Sequence, residues 1–132
     1  MREAILSTFF MEICGLGPLT KNGNDILVAG TQTGDANTYN AMWGDSSGNS
    51  KGGADTFVFH DTGAAKVGTQ NYIMDFDPTE HDHIQFIGVD GVTSFADLTF
   101  DTTTSGTITH AGADTVTLVG YTGALHASDF IL

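Results

Sequence analysis

Gly52-Gly53-Ala54-Asp55-Thr56-Phe57 is the stretch on which the fold turns. Its glycines permit the positive φ that a tight turn needs. Thr56 and Phe57 then favour a strand. An acidic side chain thus stands between a glycine turn and a very short strand. The hydrophobic residue two places beyond the aspartate is expected to point inward and build a thin core. A weaker copy, Gly23-Asn24-Asp25-Ile26-Leu27, lies upstream.

Working outward, two registers compete. A ladder of period ten joins Asp25, Asp35, Asp45 and Asp55, but Asn37 and Ser47 occupy the places where it needs a hydrophobic residue. The register Asp/Asn-X-hydrophobic does better. It gives Asp25-Ile26-Leu27, Asn40-Ala41-Met42 and Asp55-Thr56-Phe57, fifteen residues apart. Asn71-Tyr72-Ile73, Asp82-His83-Ile84 and Asp114-Thr115-Val116 continue it less regularly. A coil of this kind cannot bury its hydrophobic face alone, so successive coils must stack. Residues 31–38 and 46–51 then read as insertions between coils.

Composition supports an all-β chain. There are 17 glycines and 2 prolines among 132 residues. Segments such as TFVF, HIQFI and TVTLVG are apolar or alternate over strand lengths. Strands are expected near Thr56–Phe59, Tyr72–Phe76, His83–Ile87, Gly106–Thr109 and Thr115–Val119. His110-Ala111-Gly112-Ala113 reads as a hairpin connection, and Ser94–Leu98 and Ala127–Asp129 as short helical turns.

Charge narrows the function. Four Lys+Arg against 16 Asp+Glu give a net charge of −12. Nucleic acid and anionic membrane surfaces are excluded as partners, because both call for cationic side chains. Carboxylates in excess suit a hard cation, since calcium takes oxygen ligands. The single cysteine, Cys14, forms no internal disulfide, so a secreted chain of this size needs another staple. Residues 1–19 are ambiguous: the apolar run AILSTFFMEICGLG is broken by Glu12 and too short to span a bilayer. A poorly formed signal peptide, a short amphipathic helix and a remnant of a longer protein remain open.

The strings GGADTFVF, NYIMDFDPTEHDHIQFIGVDGVTSFADL and GADTVTLVGYTGALHASDFIL resemble the carboxy-terminal domain of serralysin-type RTX proteins. The segment NAMWGDSSGNSKGGADTF is similar to a variant repeat of the same proteins. The resemblance covers residues 20–132 and implies a short right-handed parallel β-roll with a C-terminal β-sandwich-like cap. It implies calcium at Asp25 and Asp55 of the repeats, at Asp45 of the variant turn, and at Asp75 and Asp82 after the roll, with Gly23 and Gly53 forming the turns. There are departures: Thr20 and Lys21 replace the first glycine pair, and Asn40 and Asn71 replace Asp, which reads as a weaker set of oxygen donors.

The ending Asp129-Phe130-Ile131-Leu132 is similar to the uncleaved C-terminal signal read by type I secretion transporters, with packing of a last strand as the plain alternative. The resemblance implies a bacterial, extracellular protein that folds on meeting calcium outside the cell. With Kd near ~0.1 mM and ~1 mM calcium, each site adds about 1.4 kcal/mol of folding free energy.

Catalysis finds no support in this chain. HExxH is absent, and His81 and His83 of the metal-like Glu80-His81-Asp82-His83 lack zincin spacing. Trp43 and Tyr39 read as packing rather than a sugar platform. The expected function is a non-catalytic calcium-binding module with an export signal. The alternative is the C-terminal part of a serralysin-like metalloprotease or polysaccharide-modifying enzyme, with an upstream catalytic domain, that also contacts substrate. A surface-adhesive protein is a third class.

Overall fold

The computed structural model describes residues 2–5, 24–30, 39–45, 53–61 and 66–132. Among them are ten strands: β1 (Arg2–Ile5), β2 (Asp25–Val28), β3 (Asn40–Met42), β4 (Thr56–His60), β5 (Asn71–Ile73), β6 (His83–Ile87), β7 (Leu98–Thr103), β8 (Gly106–Ala111), β9 (Asp114–Val119) and β10 (Phe130–Ile131). Helical structure among the described residues is limited to 3₁₀ turns at Pro78–Glu80, Phe95–Asp97 and Ala127–Asp129.

The chain alternates between two five-stranded sheets. The first has the order β1-β2-β4-β6-β10 and is parallel throughout. The second has the order β3-β5-β9-β8-β7. Strands β3, β5 and β9 are parallel there, and β9-β8-β7 form an antiparallel meander. This is an all-β fold of β-roll type, closed at its C-terminal end by the meander and β10.

Each Asp/Asn-X-hydrophobic triplet begins a strand, and its hydrophobic residue is fully buried: Leu27, Met42, Phe57, Ile73, Ile84 and Val116. The strand period of two explains this, because it sends alternate side chains to opposite faces. In the first sheet Leu27, Phe57, Ile84 and Phe130 stand in one row across the strands. Met42, Ile73 and Leu118 form the matching row in the second. Burial of each such side chain contributes roughly 1.5–3 kcal/mol. Four phenylalanines seal the C-terminal end: Phe130 lies 6.4 Å from Phe86, 5.7 Å from Phe95 and 5.8 Å from Phe100, centroid to centroid.

Two strands carry no clear signal in the sequence. Arg2–Ile5, in the ambiguous first segment, pairs with β2. Leu98–Thr103, rich in threonine, forms β7 against β8 along its whole length. Its apolar residues Leu98 and Phe100 alternate with polar ones, but Asp101, Thr102 and Thr103 mask the pattern.

Candidate metal centre

Three Asp triplets fall on one sheet and both Asn triplets on the other, where the last Asp triplet, at Asp114, joins them. Asp25, Asp55 and Asp82 precede neighbouring strands of the first sheet and form a row across it. Asn40 and Asn71 begin neighbouring strands of the second sheet. One turn of the roll takes 30 residues from Asp25 to Asp55 and 27 from Asp55 to Asp82.

The acidic row is tied from coil to coil. Asp55 Oδ1 accepts the N–H of Asp25 at 2.9 Å, and Asp82 Oδ1 accepts the N–H of Asp55 at 2.9 Å. Asp82 Oδ2 accepts the N–H of Asp77 at 2.9 Å. Beside this row, where the chain leaves β3 and β5, Asp75 accepts the N–H of Gly44 through Oδ1 and that of Asp45 through Oδ2, both at 2.9 Å. All five aspartates that the sequence nominates therefore lie on the edge where the chain passes from the second sheet to the first. Gly53 has φ 102°, the left-handed conformation its turn requires. Gly23 lies outside the described residues.

Burial and crowding leave a mark on these groups. Burial lifts Asp55 from the ordinary carboxylate range to about 7; the Asp25 N–H opposes this, and the charges of Asp45, Asp25 and Asp75 add to it. Burial likewise lifts Asp82 to about 7 against its two amide bonds, with Asp55 and Asp75 repelling it. Asp75 is raised for the same first reason.

The donor set suits a hard cation, because carboxylates and turn carbonyls supply only oxygen. Oδ2 of Asp55 lies where a Cβ on Gly44 would fall, so this turn has room for the carboxylate only because residue 44 is glycine. Among the described residues, no three His, Cys, Asp or Glu side chains are gathered into a ready metal shell. His81 and His83 do not join the edge, whereas the charge of Glu80 reaches Asp75 and adds to its upward shift. His81 closes a 3₁₀ turn at φ 69° with its side chain in solvent, and His83 is half-buried on β6.

The asparagines are not weak copies of the aspartates. Asn40 Nδ2 donates to Asn71 Oδ1 at 2.8 Å and to the Gly30 carbonyl at 2.8 Å. Asn71 Nδ2 donates to the carbonyls of Val67, Gly68 and Thr115, each at 3.1 Å. Their contribution is the N–H, which a carboxylate lacks.

A further carboxylate pair sits on the opposite edge. Asp61 Oδ1 accepts the N–H of Val67 and Asp114 Oδ1 accepts that of Gly68 at 2.9 Å; burial, and next the charge of Asp61, push the Asp114 carboxyl up. Lys66 lies 3.7 Å from Asp61 and 3.6 Å from Asp90. Only Asp114 carried a signal in the sequence, as the last triplet.

The C-terminal four residues are folded in. Asp129 Oδ2 accepts the N–H of His126 at 2.7 Å, Phe130 fills the aromatic seal, and Ile131 and Leu132 are exposed. Among the described residues no helix is long and apolar enough to cross a membrane. Tyr39 and Tyr72 pack edge to face at 6.5 Å.

No protein-family model matches the chain, and no curated protein matches it. Among solved structures it is similar to the extracellular lipase LipA from Serratia marcescens, with a TM-score of 0.53 and 19% identity, over 98% of this chain and 20% of that one. The likeness is one of fold. The chain spans about a fifth of the length of that lipase.

Proposed function

We propose that this chain is a non-catalytic, calcium-responsive β-roll module of an exported bacterial protein. The observation that carries the reading is the acidic edge, where Asp25, Asp45 and Asp55 are buried within reach of one another's charge. Bound calcium would supply the positive charge that this edge lacks. Asp25, Asp45 and Asp55 would hold it, the Gly44 turn leaving room beside Asp55 Oδ2. In a cytosol poor in calcium the same carboxylates repel one another and disfavour stacking. Outside the cell, binding to a site absent from the unfolded chain becomes folding free energy.

Asp129-Phe130-Ile131-Leu132 would be read by a type I secretion transporter before folding. Phe130 is buried in the folded cap, so the complete motif is presented only by the loose chain. Circular dichroism in EDTA and in ~1 mM calcium tests the reading. Strand signal gained with calcium supports it; identical spectra and melting temperatures refute it.

A second reading is favoured by the coverage of the lipase. A chain spanning a fifth of an extracellular enzyme suits a module of a longer exported hydrolase, in which an upstream domain does the chemistry. The reading frame upstream of Met1 decides between a stand-alone module and such a part.

A further inference from the structure

The acidic edge holds two kinds of carboxylate. Asp75 and Asp82 have both oxygens engaged by backbone N–H groups: Gly44 and Asp45 for Asp75, Asp55 and Asp77 for Asp82, all four at 2.9 Å. Three of these four amides belong to the preceding coil. The bonds therefore hold one coil to the next, as a bridging cation would. Asp55 differs: Oδ1 takes the Asp25 N–H, while Oδ2 faces the Gly44 turn.

The opposite edge of the same coil is closed in a like manner. Asp61 and Asp114 take the consecutive N–H groups of Val67 and Gly68, and the β4–β5 connection is thereby fastened to the start of β9. Lys66 stands beside Asp61 and offsets part of that charge. Amide hydrogen bonds to carboxylate oxygens are stronger than those between neutral groups when the acceptor is charged. A carboxylate whose two oxygens each hold an amide at 2.9 Å must break or bend those bonds to turn toward a cation.

We propose that the coil junctions of this roll are of two kinds: Asp25, Asp45 and Asp55 take the cation, whereas Asp75 and Asp82 act as amide clamps that close the last junction without metal. The proposal rests on the calcium reading for its first half only. It divides the five aspartates into ligands and clamps. It also makes the segment from β3 to β10 a preformed template on which β2 stacks once calcium arrives.

Amide hydrogen exchange on the intact chain in EDTA, read residue by residue, tests the clamps without calcium. The N–H groups of Asp55 and Asp77 are expected to be protected there as strongly as those of the β8–β9 hairpin. Asp82→Asn offers one acceptor oxygen in place of two, and should speed exchange at Asp55 or Asp77 at least tenfold, with or without calcium. Calcium titration by calorimetry should give the same stoichiometry for Asp82→Asn as for the natural chain, and fewer ions for Asp55→Asn. Because Asp82→Asn could unfold the cap, the natural chain in EDTA remains the deciding sample. Free exchange at Asp55 and Asp77 until calcium is added would overturn the clamps, as would loss of an ion in Asp82→Asn. A natural chain that binds no calcium yet keeps these amides protected in EDTA would overturn the ligand half and leave the clamps standing.

Discussion

The backbone N–H of Asp55 donates to the carboxylate of Asp82, 27 residues further along, at 2.9 Å. Asp55 then passes the relation on, taking the N–H of Asp25 on its own carboxylate. One residue so links three coils, and its side chain is buried beside the like charges of Asp25, Asp45 and Asp75. Several consequences of that position are measurable.

The first concerns pH. An aspartate in the unfolded chain releases its proton near ~4. Asp55 and Asp82 in the fold keep theirs to about 7, and Asp75 is shifted the same way. The folded state therefore holds more protons between those limits, and stability falls as pH rises through the window. In EDTA the melting temperature should be higher at pH 5 than at pH 8. Saturating calcium should reverse the order, because its ligands must be deprotonated. A calcium-free protein that gains stability from pH 5 to pH 8 would contradict this account of the edge.

Gly44→Ala places a methyl group against the Asp55 carboxylate. Asp55 is buried and cannot swing into solvent. The substitution should reduce stability by about 1–3 kcal/mol, as overpacking does, and should weaken calcium binding as well. Urea denaturation in EDTA measures the first effect and calorimetry the second. A neutral Gly44→Ala would mean that the turn is not packed on Asp55.

Asn71→Asp tests the amide row. It replaces the Nδ2 that serves three carbonyls by an oxygen that faces them. A buried charge against unpaired acceptors costs about 3 kcal/mol or more. Thermal melts should show a large drop that calcium does not repair. If calcium does repair it, position 71 is a ligand position after all.

Ile131→Ser and Leu132→Ser separate export from folding. Both side chains are exposed, so each change should move stability by less than about 0.5 kcal/mol. If the tail is read by a type I transporter, the secreted fraction in an exporting host should nonetheless fall. Phe130→Ala, in contrast, should cost about 3–5 kcal/mol through loss of the aromatic seal. Unchanged export in the two serine variants would leave the tail a structural strand only.

Much of this was legible in the sequence, because one short-range rule governs it. A turn residue, an acid or amide, and a hydrophobic residue two places on are local facts, and all six triplets open strands. The hairpin at His110–Ala113 and the turns at Ala127–Asp129 follow from equally local chemistry. What escaped depends on distance along the chain. That Asp25, Asp55 and Asp82 fall on one sheet and Asn40 and Asn71 on the other follows from coil length, which no local pattern announces. The clamp partners of Asp75 lie about one coil away, 31 and 30 residues back at Gly44 and Asp45, and no pattern near Asp75 announces them. Asp114 opens a triplet like the others, yet β9 pairs Thr117 with Tyr72, so the triplet stands two residues out of register with Asn71. Strand β7 was hidden by threonines and an aspartate on its solvent face.

The central claim is that the acidic edge converts calcium into folding free energy. Thermal melts of the natural chain and of Asp55→Ala, each in EDTA and in ~1 mM calcium at neutral pH, test it most directly. One site is worth about 1.4 kcal/mol under those conditions, which raises the melting temperature by about 3–6 °C in a domain of this size. The account predicts that rise in the natural chain and its loss in Asp55→Ala. Equal melting temperatures with and without calcium in the natural chain, or an undiminished rise in Asp55→Ala, would contradict it.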